Sequence, residues 1–262
     1  MKTKIIALTV IFILPFLLGS TMVTDYWDSE KHKDYKLFYT AADKQNKKEY
    51  RKLIKNGIKS TSKFFHGTYK NDFAVYIHPN RKSLDSTWQK NWEMPNFKSE
   101  CWMVASGVAD RLDMISPKSW KKESCEHDYA NSIKTQRLIT HELIHVYHGQ
   151  HNPSPDFSDT ENMDWFMEGL ATYASGQCDL ERINEIKKLI SEKKAPERLD
   201  KFWTGKSKYG LSGSIVMFID VKYGRTKLTS LLKFNKSSEV LTALNTTEKD
   251  LVNDWKVFIA KQ

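Results

Sequence analysis

The chain has 262 residues, of which 40% are hydrophobic and 28% are charged, and its formal net charge is +9. These proportions are ordinary for a globular protein with a buried core, and they exclude a collagen-like, low-complexity or extensively disordered chain. The positive charge is spread through lysine-rich helical segments. A solvated surface is therefore favoured over a groove for nucleic acid.

The first twenty residues have the layout of a secretory signal peptide. Lys2 and Lys4 precede an apolar run over residues 5–18, and two small residues follow the run. The run is shorter than the roughly 18 to 20 residues that a helix needs to span a bilayer. We therefore predict a signal peptide over residues 1–20 and a secreted, periplasmic or extracellular protein. The alternative is an uncleaved signal that anchors the chain in the membrane.

Three cysteines follow the signal segment: Cys101, Cys125 and Cys178. In an oxidising compartment two of them are expected to pair and one is left over. A disulfide between Cys101 and Cys125 is favoured, since it would close a loop of about 25 residues and contribute roughly 3 kcal/mol through the unfolded state. The alternative is that all three cysteines are free buried thiols.

The first half of the chain is predicted to combine helix with sheet. Apolar residues between positions 50 and 65 recur at helical spacing and predict a helix of about 18 residues, which His66 and Gly67 end. A tryptophan-rich loop is expected between the strands of this half. A strand is predicted at residues 73–78, and residues 102–109 with 111–115 predict one or two further strands.

The second half of the chain is predicted to be helical. A long helix is expected over residues 128–147 and another over about 159–174, where Ser158 and Glu161 have the spacing of a capping box. Beyond Gly176 the apolar periodicity predicts further helices. These helices are centred on residues 183–190, 209–223 and 251–259.

Together these elements predict an α+β fold with a small mixed sheet and a helical C-terminal lobe. We expect one domain over residues 21–262, with a mixed α/β lobe over about 34–178 and a helical lobe over about 179–262. A cleft between two such lobes is a common place for a binding site.

The segment from His141 to His145 has the pattern HExxH on the first long helix. Residues four apart differ by about 40° around a helix, so both imidazoles project from one face and can share a tetrahedral zinc ion. Glu142 lies about 100° around from His141, beside the metal. A general base at that position can take a proton from a zinc-activated water.

Two residues compete for the place of third ligand. Glu168 lies on the next helix, 23 residues after His145, and a carboxylate with two histidines leaves the fourth zinc position open, as catalysis requires. An unpaired charge would be costly among the apolar neighbours of Glu168. His151 has the spacing of the third histidine in HExxHxxGxxH, but that motif needs glycine where this chain has His148. The sequence therefore favours Glu168.

The two helical motifs resemble those of the gluzincins, zinc metallopeptidases of the peptidase MA-like superfamily that are related to thermolysin and aminopeptidase N. The resemblance covers about residues 100–260. It rests on His141 to His145, Trp165, Glu168, Gly169, Ala171 and Tyr173. It implies a zincin-like fold that holds one Zn²⁺ through His141, His145 and Glu168, with Glu142 as general base.

Two further features are implied by the same resemblance. Residues 105–109 resemble the edge strand against which these enzymes lay an extended substrate. Tyr209, near Gly213, resembles a tyrosine that donates to the oxyanion in the aminopeptidase relatives, although the glycine is one residue further on than in their pattern. An ordinary packing role for Tyr209 is the alternative. The GxMEN segment with which those aminopeptidases grip a free amino terminus is missing here, which favours endopeptidase action.

The sequence therefore predicts an exported zinc-dependent peptidase that acts on peptide or protein and has no nucleic-acid partner. Glu142 and Tyr209 are the predicted catalytic residues, and no other cofactor is expected. The alternative is a non-catalytic, zinc-stabilised binding or scaffold protein with the same fold. The presence of Glu142 argues against that alternative, because a structural zinc site does not need this carboxylate.

Overall fold

The computed structural model describes residues 26–262. The predicted signal peptide, residues 1–20, lies outside this range and stays a prediction. Within the described range the predicted α+β class is confirmed, because a small mixed sheet is combined with ten α-helices. None of the helices between residues 26 and 262 is long and apolar enough to cross a membrane.

Five strands form one sheet. They are β1 (Asp28–Lys31), β2 (Tyr35–Tyr39), β3 (Phe73–His78), β4 (Ala105–Val108) and β5 (Arg111–Ile115). Their order across the sheet is β1-β2-β3-β5-β4. The three inner strands are parallel to one another, whereas β1 and β4 run antiparallel to their neighbours at the two edges. Alternate residues of β2 and β3 are buried against the helices, as expected for strands with one face on a core.

The helices occupy most of the rest of the chain. They are α1 (Lys47–Phe65), α2 (Arg81–Asn91), α3 (Trp120–Glu123), α4 (Ser132–Gly149), α5 (Asp164–Ala174), α6 (Leu180–Ser191), α7 (Lys208–Tyr223), α8 (Arg225–Ser230), α9 (Ser237–Ala243) and α10 (Glu248–Ala260). The predicted end of α1 is confirmed, since His66 has a left-handed backbone with φ of 51°. The predicted helices around residues 183–190, 209–223 and 251–259 correspond to α6, α7 and α10.

One predicted loop is a helix. The tryptophan-rich segment after β3 contains α2, and the side chain of Asn80 caps that helix by accepting a hydrogen bond from the backbone N–H of Ser83 (2.9 Å). Trp88 is fully buried on this helix. Its burial explains a tryptophan that the sequence alone placed in a loop.

The predicted start of α5 is also wrong, because the capping box at Ser158 does not form. The hydroxyl of Ser158 donates instead to Asp156 (2.8 Å). The backbone N–H of Glu161 donates to the carbonyl of Asn235 (2.7 Å), which ties this segment to the C-terminal part of the chain. The helix therefore begins at Asp164, about five residues later than predicted.

A disulfide joins Cys101 to Cys125, the pairing that the sequence favours, with the two Cα atoms 5.5 Å apart. The bond fastens the segment before β4 to the segment after α3. Cys178 is a free, half-buried thiol. Burial raises the pKa of this thiol to about 12, so it is protonated near neutral pH.

Two clusters of buried apolar residues meet on α4. One lies between the sheet, α1 and α4, to which α4 contributes Leu143 and Val146. The other joins α5 to the C-terminal helices, and α4 contributes Ile144 and Tyr147 to it. The HExxH helix is thus covered by apolar packing on two sides. Because α5 contributes to the second cluster, this helix packs with the C-terminal helices.

Replacing Gly169 by alanine is expected to lower the free energy of unfolding by about 1 to 3 kcal/mol. A Cβ at this position of α5 would overlap the carbonyl oxygen of Ser212 on α7 and lie 2.7 Å from the carbonyl carbon. Because backbone cannot rotate away, the two helices would have to separate. Urea denaturation followed by circular dichroism measures the change.

Gly210→Ala on α7 is a matched control for this substitution. A Cβ at Gly210 would meet the flexible end of Ile186 at 3.0 Å, and a side-chain terminus can shift at small cost. Both substitutions add helix propensity of similar size. Equal stability of the Gly169→Ala and Gly210→Ala proteins would contradict a close backbone contact between α5 and α7.

Candidate metal centre

Helices α4 and α5 bring three potential metal ligands together. His141 and His145 lie one turn apart on α4, and their Nε2 atoms are 3.1 Å from each other. Oε2 of Glu168, from α5, lies 3.2 Å from Nε2 of His141 and 3.6 Å from Nε2 of His145. These three side chains are the group that can hold a metal ion within residues 26–262.

The spacing of the three donor atoms fits a tetrahedral ion. Zinc bonds to nitrogen and oxygen ligands at about 2.0 to 2.1 Å, which places the corners of the tetrahedron about 3.3 Å apart. The observed separations of 3.1, 3.2 and 3.6 Å bracket that value. Two imidazoles and one carboxylate also leave a fourth position free for water or substrate.

The charges of Glu168 and the two histidines shift the pKa values of Glu168 and His145. Burial would raise the pKa of Glu168, but the charges and hydrogen bonds of His145 and His141 hold it well below its ordinary value. Glu168 is therefore ionised at neutral pH. Burial disfavours the charged form of His145, yet the charge of Glu168 raises the pKa of that imidazole overall.

Gln177 fixes the orientation of His141, and the sequence motifs did not indicate it. Its side-chain oxygen lies 2.9 Å from Nδ1 of His141. Because a carbonyl oxygen only accepts, Nδ1 carries the proton and Nε2 presents its lone pair to the other ligands. Gln177 follows the end of α5 after a turn at Gly176, where φ is +78°. No periodicity in the sequence connects it to the motif on α4.

Glu142 lies beside the three ligands and against the edge strand β4. The backbone N–H of Gly107 donates to its carboxylate. A Cβ at Gly107 would overlap the backbone carbonyl oxygen of Glu142 and lie 3.2 Å from Cβ of His145. Burial raises the pKa of Glu142, although the charges of His141 and His145 oppose the shift. A carboxylate with a raised pKa is better suited to accept a proton from water.

The edge strand β4 runs next to this carboxylate, and its hydrogen bonds to β5 show which of its backbone groups face outward. The carbonyl of Val104 accepts a hydrogen bond from Ile115 of β5 (2.8 Å). In an antiparallel pair such bonds alternate, so Ser106 and Val108 also pair with β5. The backbone groups of Ala105 and Gly107 therefore point away from β5. The predicted strand at the sheet edge is confirmed, over residues 105–108.

Tyr209 also lies at the candidate site. It is the second residue of α7, and its ring centre is 6.3 Å from that of His141. Burial raises the pKa of Tyr209, and the charges of Glu168 and Glu142 raise it further. Its hydroxyl is therefore protonated at neutral pH and can donate a hydrogen bond.

The two other histidines of this region are not brought to the centre. Nδ1 of His151 lies 2.7 Å from the carbonyl of Tyr147, and its ring stacks on the Tyr147 ring with centres 4.2 Å apart. His148 is buried against Phe157 and Phe166. Burial lowers the pKa of His148 to about 3, so it is a neutral core residue. The structure thus places Glu168, rather than His151, beside the two histidines of α4.

The described chain is therefore an α+β protein with a preformed group of two histidines and one glutamate. No protein-family model matches the chain, and no curated protein matches it. Among solved structures, a mutant M1 zinc metallopeptidase from Deinococcus radiodurans matches 84% of this chain and 48% of its own, with 15% identity and a TM-score of 0.46.

A second solved structure is a two-domain M1 zinc metallopeptidase mutant bound to L-tryptophan. It matches 88% of this chain and 51% of its own, with 13% identity and a TM-score of 0.49. The chain thus spans about half the length of these two proteins.

Proposed function

We propose that the protein is an exported zinc-dependent peptidase that hydrolyses peptide bonds. The observation that carries the proposal is the spacing of His141, His145 and Glu168, which matches the corners of a zinc tetrahedron, together with a carboxylate beside them. A zinc site with a structural role alone would have no use for Glu142. The exported location rests on the N-terminal sequence.

Each residue of the site has a role in this reaction. Zinc held by His141, His145 and Glu168 supplies Lewis-acid activation of water and of the substrate carbonyl. Glu142 accepts the proton of the attacking water and delivers it to the amine that leaves. Tyr209 donates a hydrogen bond to the carbonyl oxygen as negative charge develops on it.

The edge strand supports the positioning of substrate. An extended peptide can add to β4 through the backbone groups of Ala105, which point away from β5, whereas the N–H of Gly107 is already bonded to Glu142. Recognition along the backbone does not require a chain end. This arrangement, and the missing GxMEN segment, favour cleavage within a peptide over removal of its first residue.

Two measurements test the proposal together. The protein purified from a zinc-containing medium is expected to hold one zinc per chain by mass spectrometry of the metal. Incubated with a denatured proteome digest, it is expected to create new peptide termini that disappear when a chelator removes the metal and return when zinc is added. Stoichiometric zinc without new termini would favour the binding or scaffold protein, and the lack of zinc would refute both.

A further inference from the structure

A lysine side chain lies among aromatic rings beside the candidate metal centre. Nζ of Lys208 is 4.2 Å from the ring centre of Trp102, 4.6 Å from that of Trp203 and 5.5 Å from that of Tyr209. Trp102 comes from the segment before β4, whereas the other three residues belong to the helical part of the chain. Cation–π contacts with rings from both parts of the chain thus hold this ammonium group in place.

A second cation lies next to the same tyrosine. The guanidinium carbon of Arg182, on α6, is 5.6 Å from the ring centre of Tyr209. One of its nitrogens donates to the backbone carbonyl of Gln177 (2.5 Å), whose side chain holds His141. The side chain of Arg182 is therefore linked to the metal centre through Gln177.

Neither cation is neutralised by the described chain. Within residues 26–262 no carboxylate lies within 4.0 Å of the charged nitrogens of Lys208 or Arg182, whereas the nearby Arg137 is paired with Asp179 at 2.9 Å. The acids close to Tyr209 are Glu142 and Glu168, which belong to the metal centre, and the exposed Glu126. Two positive charges thus lie next to Tyr209 without a carboxylate partner among the described residues.

We infer that this site prefers a peptide that carries a carboxylate close to the bond to be cleaved. The inference rests on the proposed function and names its substrate class. Lys208 and Arg182 bind the carboxylate through charge-assisted hydrogen bonds, which are about twice as strong as neutral ones. The carboxylate is that of an acidic side chain or of a free C-terminus, since both present the same two oxygens.

The distance limits where the carboxylate stands in the peptide. At most about 12 Å separate Nζ of Lys208 from the ring centre of His141, and an extended chain advances about 3.3 to 3.6 Å per residue. The recognised group therefore lies within three or four residues of the reacting carbonyl. An amino terminus, which is positively charged, is disfavoured at the same place.

Binding tests this inference without relying on turnover. The zinc-loaded Glu142→Gln protein is titrated calorimetrically with peptides capped at both ends, in which Glu occupies each position in turn and Gln replaces it in the paired peptide. A neutral peptide with a free C-terminal carboxylate is compared with its amide. In at least one of these pairs, we expect the peptide that carries the carboxylate to bind about tenfold more tightly than its neutral partner. The difference is expected to shrink at high salt.

Substitutions assign the preference to the two cations. Lys208→Met removes the charge and keeps an unbranched side chain between the rings, and it is expected to reduce the tenfold difference to about twofold. Lys206→Met, at an exposed lysine two residues away, is the matched control and is expected to keep the difference.

Two results would overturn the inference: equal binding within every pair, or a preference that survives both Lys208→Met and Arg182→Gln. Neither depends on whether the parent protein cleaves peptides. The proposed function fails separately, if the parent protein with bound zinc produces no new termini. A preference within the Glu and Gln pairs would identify an acidic side chain as the recognised carboxylate. A preference for the free C-terminus over its amide would identify the C-terminal carboxylate.

Discussion

Replacing Glu142 by glutamine is expected to slow peptide hydrolysis by at least about a hundredfold while zinc stays bound. An amide cannot accept the proton of the attacking water, so attack on the substrate carbonyl loses its base. The replacement has nearly the same shape, and its side-chain oxygen can still accept the hydrogen bond from the backbone N–H of Gly107. Zinc content and thermal stability should therefore change little.

The measurement is kcat/KM on a peptide identified from the proteome digest, at equal zinc occupancy of both proteins. Glu181→Gln, at an exposed carboxylate on α6, controls for the loss of one negative charge. It is expected to hydrolyse the peptide at the parental rate. If Glu142→Gln does so as well, the water is activated by another group and the assignment of Glu142 is wrong.

Alanine substitution of His141, His145 or Glu168 is expected to weaken zinc binding more than a hundredfold. Loss of a residue that only orients a metal ligand already costs about 10 to 100-fold in affinity, and loss of the ligand itself removes a bond to the metal. His151→Ala is the matched control and is expected to keep one zinc per chain, because its ring is stacked on Tyr147 away from the centre.

Competition with a chromogenic chelator measures these affinities directly. Gln177→Ala belongs to the same series and is expected to fall between the parent and the ligand variants, since it removes only the hydrogen bond that orients His141. Full zinc occupancy of the Glu168→Ala protein, with loss of zinc from His151→Ala, would move the third ligand to His151.

An element could be predicted from the sequence where its own residues show a clear pattern. The apolar periodicity of α1, the β-branched and aromatic run of β3 and the two histidines of α4 each indicated their structure without help from the rest of the chain. By contrast, β1 has the sequence Asp-Ser-Glu-Lys, and the strand propensities of these residues are low. It is a strand because it pairs with β2, and pairing depends on the fold.

The residues of the candidate site also divide into those that the sequence indicated and those that it did not. The common face of His141 and His145 follows from helical geometry on α4, and Glu168 was indicated by its apolar neighbours and by the resemblance of its motif. The position of Gln177 depends on a turn after α5, and that of Lys208 on the packing of α7 near the segment that carries Trp102. Contacts of this kind join segments far apart in the chain, and periodicity carries no information about them.

Apolar packing on two sides of α4 has a consequence for the order in which the site is assembled. The helix contributes residues to both hydrophobic clusters, so a chain in which only one cluster has formed leaves one side of α4 exposed to solvent. Glu168 reaches the two histidines only when α5 has docked. Amide hydrogens of α4 should therefore exchange with solvent only through global opening. A partly folded chain would then have no assembled metal centre.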